Sequence, residues 1–206
     1  MLDRRTLLVG AGASVALAGC SFREASRQDA PRLQATRRAE GLIAAAREQI
    51  GVTVRYDGSY ARIPFPDGDV PRSRGACTDV LVRAYRDAFG VDLQALVNED
   101  MRAAFAAYPR IWGLSEPDPS IDHRRVPNLA TWLARRHARL PVPASPDEWR
   151  PGDIFTSRPA GPHIGIVSDR AGRRSPLIIH NIGAGAREED ALLDWPITGR
   201  FRWRVG

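Results

Sequence analysis

Three side chains have the types and settings that nucleophilic catalysis requires: Cys77, His163 and His180. Cys77 follows a loop rich in breakers and precedes a run with helical periodicity, so it falls at a helix N-terminus. Unpaired first-turn N–H groups and the helix dipole favour an anion there. A thiolate is the nucleophilic form of cysteine, and its pKa falls at helix N-termini and beside histidine. The alternative is a small buried core residue, but such a cysteine belongs within the apolar face of a helix. His163 opens the run His-Ile-Gly-Ile-Val-Ser-Asp. Alternation sets His163, Gly165 and Val167 on one face and Ile164 and Ile166 on the other. A histidine at a strand start has the reach of a general base toward a helix end; its other role is that of a hydrogen-bonded structural residue. His180 ends Leu177-Ile178-Ile179-His180 and can orient the ring of His163, as the third member of a triad does. Asn181 has suitable chemistry too, though alternation turns it away if His180 faces the site. Thr78 and Asp79 suit first-turn capping, with contact to substrate as the second reading of Asp79. The same Cys77, His163 and His180 also form a candidate Zn²⁺ set with one position open, but no close ligand pair such as C-x-x-C accompanies them; neither a metal nor a cofactor is expected.

These groups need elements to hold them. The spacing of Ala35, Ala39, Leu42, Ile43, Ala46 and Ile50 predicts a helix over Arg32–Ile50. Gly51–Gly75 carries Asp-Gly turns and three prolines and is expected to be mostly loop. A helix is predicted over Thr78–Phe89, capped by Gly90, and another over Leu93–Tyr108. Pro109–Pro127 reads as loop, and Asn128 as the N-cap of a helix to about Ala138. Strands are expected at Asp153–Ser157, His163–Ser168, Leu177–Asn181 and Arg200–Val205. Helices lead and strands follow, which is the order of an α+β domain with an antiparallel sheet.

The N-terminus reads as an address. Asp3-Arg4-Arg5, an apolar stretch and Leu17-Ala18-Gly19-Cys20 have the layout of a secretory signal. About 14 apolar residues span roughly 21 Å, short of the ~30 Å of a bilayer core. Leu-Ala-Gly-Cys resembles the lipobox of bacterial lipoproteins, and the paired arginines loosely resemble a twin-arginine signal. The expected organisation is a lipoprotein signal peptide over 1–19, a lipidated Cys20 with a flexible tether over 20–31, and one catalytic domain over 32–206. Cys77 is then the one thiol in the body of an exported chain, without an intramolecular disulfide partner. Ser21 leans toward an outer-membrane anchor. Membrane contact through the N-terminal lipid is expected, and nucleic acid is not a partner of an exported protein.

Composition agrees with a single globular domain. The 206 residues are 43% hydrophobic and 26% charged, which excludes a disordered or low-complexity chain. All 30 basic residues are arginine, and the formal net charge is +6. The arginines are scattered rather than gathered in one block, as expected of solvated faces and salt bridges.

A cysteine at a helix start, His-hydrophobic-Gly-Ile-Val, and a strand ending in histidine resemble the NlpC/p60 cysteine peptidases, papain-like cell-wall hydrolases. More closely, residues 42–202 resemble the family catalogued as domain of unknown function 1287. The stretches that carry the likeness are QIGVTVRYDGSY, DGDVPRSRGACTDVLVRAYR, IWGLSEPDPSIDHRRVPNL, PGDIF, PHIGIVSD and IIHNIGAG. The resemblance implies a papain-like α+β fold, with Cys77 as nucleophile, His163 as base and His180 as third residue. Tyr56 falls where those peptidases carry a tyrosine near the active site, a candidate oxyanion donor or else a packed loop aromatic; Asn181 is a further support candidate. Thr78-Asp79 departs from the Ser-Gly that usually follows the family's cysteine. An added charged loop, with Asp122, His123, Arg124 and Arg125, is a candidate for reading acidic peptide groups through bidentate arginine contacts, or a salt-bridged loop that shapes the fold. The implied activity is amide hydrolysis in peptidoglycan stem peptides or cross-links. Acyl transfer to another amine and a non-catalytic cell-wall-binding lipoprotein are the alternatives.

Overall fold

The computed structural model describes residues 32–205. The signal peptide, Cys20 and the tether expected over 1–31 lie outside them. Helix α1 (Arg37–Arg47) starts at Thr36, whose hydroxyl accepts from Ala39 N at 3.3 Å. Short strands β1 (Arg55–Tyr56) and β2 (Arg74–Gly75) pair in parallel across the loop region. Helix α2 (Cys77–Phe89) follows β2 directly and ends at Gly90, which takes the left-handed φ of 65° that glycine tolerates. Helix α3 (Leu93–Ala104) is capped by the Asp92 carboxylate on Gln94 N at 2.9 Å. It stops four residues short of the expected Tyr108, where the chain tightens into a 3₁₀ turn over Phe105–Ala107.

Helix α4 (Val126–Arg135) corrects the expected start at Asn128. Pro127 lies in the first turn, where its missing N–H costs nothing. Asn128 does not cap; its amide reaches back to the carbonyl of Asp122 at 3.2 Å. The sheet comprises β3 (Arg139–Leu140), β4 (Ile154–Ser157), β5 (His163–Ala171), β6 (Pro176–Asn181), β7 (Ala186–Glu189) and β8 (Ile197–Phe201). Its order is β3-β8-β4-β5-β6-β7, antiparallel throughout. The domain is therefore α+β, with helices packed on an antiparallel sheet. The last strand begins at Ile197 rather than Arg200, and β3 and β7 were not expected from the sequence. Both are edge strands, and charged side chains on an edge disguise it while discouraging further pairing.

Strand alternation builds two apolar layers. Ile154, Ile164, Ile166 and Ile179 face Ile43, Val80 and Leu81 of the helices in the main core. Phe155, Val167 and Ile178 point the other way, onto Trp149 and Leu192. Gly165 sits at the centre of this second face. A Cβ there would meet the Phe155 ring at 2.7 Å and His180 Cβ at 2.9 Å, so the glycine makes room for both. Gly165→Ala is accordingly expected to lower stability by about 1–3 kcal/mol in urea unfolding. Gly161→Ala, with nothing within 4 Å of the added methyl, should stay within about 0.5 kcal/mol.

Candidate active site

Cys77 is the first residue of α2 and is buried, with 3% of its surface exposed. The turn before it is held from two sides. Asp79 reaches back to accept the Ala76 N–H at 2.6 Å, and Asn181 Nδ2 donates to the Gly75 carbonyl at 2.8 Å. Amides of Cys77, Thr78 and Ile164 direct N–H groups at the sulfur, and the Tyr56 hydroxyl donates to it. Tyr56 is set there by β1: its own N–H donates to Gly183 O at 3.2 Å, and the next amide, Asp57 N, to Gly75 O at 3.0 Å. This docking needs Gly185, whose φ is +88° and where a Cβ would lie 2.4 Å from Thr53 O.

Ile164, whose amide bonds the sulfur, is the chain neighbour of His163, and alternation turns the His163 ring to the other face of β5, against Phe155 and Trp195. His163 Nε2 lies 2.8 Å from His180 Nδ1, the two rings nearly perpendicular at 70°. Trp195 packs edge-on against His163, with centroids 6.0 Å apart. His180 Nε2 in turn lies 2.8 Å from Glu189 Oε1. The imidazoles thus bond to each other rather than converging with Cys77 on a shared point. Among the described residues, no group of three His, Cys, Asp or Glu side chains is placed to hold a metal ion.

The electrostatics depart from the expected low-pKa thiolate. Burial pushes the Cys77 thiol up to about 11 and outweighs the three amide donors, while the charge of Asp79 raises it further. Burial pushes His163 down to about 3, helped by the neighbouring His180. The resting pair is a neutral thiol and a neutral imidazole. Tyr56 is also raised, to about 12, by burial first and then by Cys77, so it stays a hydrogen-bond donor.

The structure places the remaining candidates in the scaffold. Asp79 and Arg124 form a two-pronged buried pair, with both contacts at 2.9 Å, and Arg124 also donates to the carbonyls of Asp57 and Ser59, each at 3.0 Å. Asp122 is buried and binds Asp118 N at 2.6 Å and Arg125 at 2.8 Å. His123 is buried and pushed down to about 4 by desolvation. Arg125 stacks over the Trp112 ring at 4.1 Å. Except in His123, whose buried Nδ1 has no hydrogen-bond partner, their polar groups are spent on the fold, and the charged loop is a strut behind the Cys77 turn rather than a row of groups open to substrate. Asn181 likewise bonds backbone, Gly75 O and Gly183 N, and supports the turn rather than an oxyanion. Glu189 escaped the sequence reading because AREE carries no strand pattern; its place opposite Ile178, one diagonal from His180, follows only from the β6–β7 register. Two clefts, of about 500 and 490 Å³, lie around Gln34 and Arg150, and neither is lined by Cys77, His163 or His180.

These features define an α+β protein with a buried thiol at a helix start and a pair of bonded imidazoles on adjacent strands of the sheet. Residues 43–203 match the family described as Domain of unknown function (DUF1287). The chain belongs to that family. It is also 50% identical over 163 residues to the Uncharacterized protein YijF of Escherichia coli (strain K12), a span covering 78% of this chain and 79% of that protein.

Two outcomes follow from the site. Arg124→Ala strands the Asp79 carboxylate in the interior and should cost about 3–5 kcal/mol in denaturant unfolding. The Asp79→Leu/Arg124→Met double variant should cost less than the sum of its single changes. Alkylation of Cys77 by iodoacetamide should rise about tenfold per pH unit from neutrality toward pH 11. At pH 7 it should run on the order of a hundredfold below a free cysteine, because only the thiolate reacts.

Proposed function

We propose that this protein is a cysteine peptidase or amidase that hydrolyses amide bonds in peptidoglycan stem peptides or cross-links, with Cys77, His163 and His180 in the NlpC/p60-like, papain-type arrangement. The observation that carries the reading is the surroundings of the Cys77 sulfur. It sits at a helix start and receives N–H donors from Cys77, Thr78 and Ile164 and a hydroxyl from Tyr56, and Ile164 adjoins in the chain the imidazole of His163, itself bonded to a second one.

In the reaction the thiol proton passes to His163 as the sulfur–carbon bond forms and the carbonyl electrons move onto oxygen. The neutral resting pair makes transfer in step with attack the favoured order, since a thiol near 11 does not ionise beforehand to a base near 3. First-turn N–H groups and the Tyr56 hydroxyl are the donors for the oxyanion. On collapse the carbon–nitrogen bond breaks, His163 returns the proton to the leaving amine, and water cleaves the thioester. His180 holds the ring of His163. No cofactor enters this scheme.

The apolar N-terminus and Leu-Ala-Gly-Cys support export and a lipid anchor at Cys20, with an outer-membrane location, and thus a substrate in the cell envelope. Burial of Cys77 to 3% exposure favours a second reading. A water-poor thioester suits a cysteine-dependent acyltransferase or transpeptidase that passes its acyl group to another amine.

The test is incubation of the protein with purified peptidoglycan beside Cys77→Ala, with mass spectrometry of released fragments. New stem-peptide fragments from the wild type alone are the expected result. Newly joined peptides would move the assignment to transfer, and unchanged peptidoglycan from a folded wild type would contradict both.

A further inference from the structure

The site holds an ionisable group that the mechanism above does not use. Glu189 Oε1 lies 2.8 Å from Nε2 of His180, and Nδ1 of the same ring lies 2.8 Å from Nε2 of His163. Carboxylate, ring and ring form one continuous chain. The middle ring is buried, whereas the Glu189 side chain keeps 39% of its surface exposed, so holding the carboxylate there does not strip it of water.

An ionised carboxylate can only accept. It therefore takes the N–H of His180 from Nε2. With one N–H on each ring, His180 Nδ1 is then bare and must accept, and His163 Nε2 must donate. The single bare nitrogen left outside the chain is His163 Nδ1, the lone pair that a base needs. The reverse order would place the hydrogen on His163 Nδ1 and leave no basic nitrogen there. Only an acceptor at the far end of the chain forbids that reversal. We propose that Glu189 is a positioning residue that fixes the direction of this hydrogen-bond chain and so makes His163 Nδ1 the basic atom of the site. The catalytic consequence rests on His163 acting as the base; the proton order itself does not.

Glu189→Gln separates this role from a structural one. Glutamine keeps the shape but offers either an oxygen or an NH₂ to His180, so it admits both directions of the chain. The measurement is long-range ¹H–¹⁵N NMR on the full chain labelled at its four histidines, alongside thermal unfolding and peptidoglycan digestion. Wild type should show Nε2–H on both His163 and His180. Glu189→Gln should keep its Tm, populate Nδ1–H on His163, and release stem fragments at least about tenfold more slowly, in line with the cost of a wrong tautomer in related triads. Nδ1–H on His163 in the wild type would overturn the proposal, as would a Glu189→Gln protein that retains a single Nε2–H pattern. The expected tautomers and their loss in Glu189→Gln, found with peptidoglycan left intact by the wild type, would uphold the proton order and remove the hydrolytic reading instead.

Discussion

The two-pronged contact between Asp79 and Arg124 is the interaction on which the rest of the site depends. One carboxylate closes the first turn of α2 through Ala76 N and grips a buried guanidinium. That guanidinium holds the carbonyls of Asp57 and Ser59, directly after Tyr56. The Cys77 turn, the tyrosine loop and the 3₁₀ turn at Asp122–Arg124 thus share one charge pair. Buried ion pairs add little net stability compared with apolar replacements, because desolvation offsets attraction. What this pair supplies is register: it ties together three segments that the short β1–β2 ladder and the start of α2 alone do not join.

The sheet contributes the other half of the geometry. Neighbouring strands β5 and β6 place His163 and His180 on the face away from the main core, and Gly165 leaves the space that the Phe155 ring and His180 occupy. The cysteine comes from the helix layer and the imidazoles from the sheet. Burial decides the protonation of each: desolvation outweighs the amide donors at Cys77, and the same effect keeps His163 neutral. Only the thiolate reacts readily, so a thiol held in that state is protected from alkylation and oxidation.

Much of this was legible in the sequence where pattern and chemistry coincide. The start of α2 followed from the breakers before Cys77, its end from Gly90, and β4, β5 and β6 from their apolar runs. Alternation correctly turned Asn181 away from His180. What was hidden lay in polar stretches whose structure is set by distant partners. AREE carries no strand pattern, yet Glu188 is bonded to Arg47 and Arg170 and Glu189 to His180. Asp122, His123 and Arg124 read either as a substrate loop or as a salt-bridged one, because spacing does not reveal that Arg124 finds its carboxylate 45 residues earlier. The sign of the Cys77 shift was hidden for a similar reason: a helix start is visible in a sequence, but the depth at which it is buried is not.

The central claim is that Cys77 becomes covalently acylated by an amide substrate. The direct measurement is to mix the protein with stem peptides, quench in acid after seconds, and weigh the tryptic peptide spanning residues 75–83. The account requires a mass increase equal to the acyl half of a cleaved stem peptide, attached at Cys77 and released by hydroxylamine as a thioester. An unmodified peptide at every time point, from protein that does cleave the substrate, would contradict nucleophilic catalysis by this thiol.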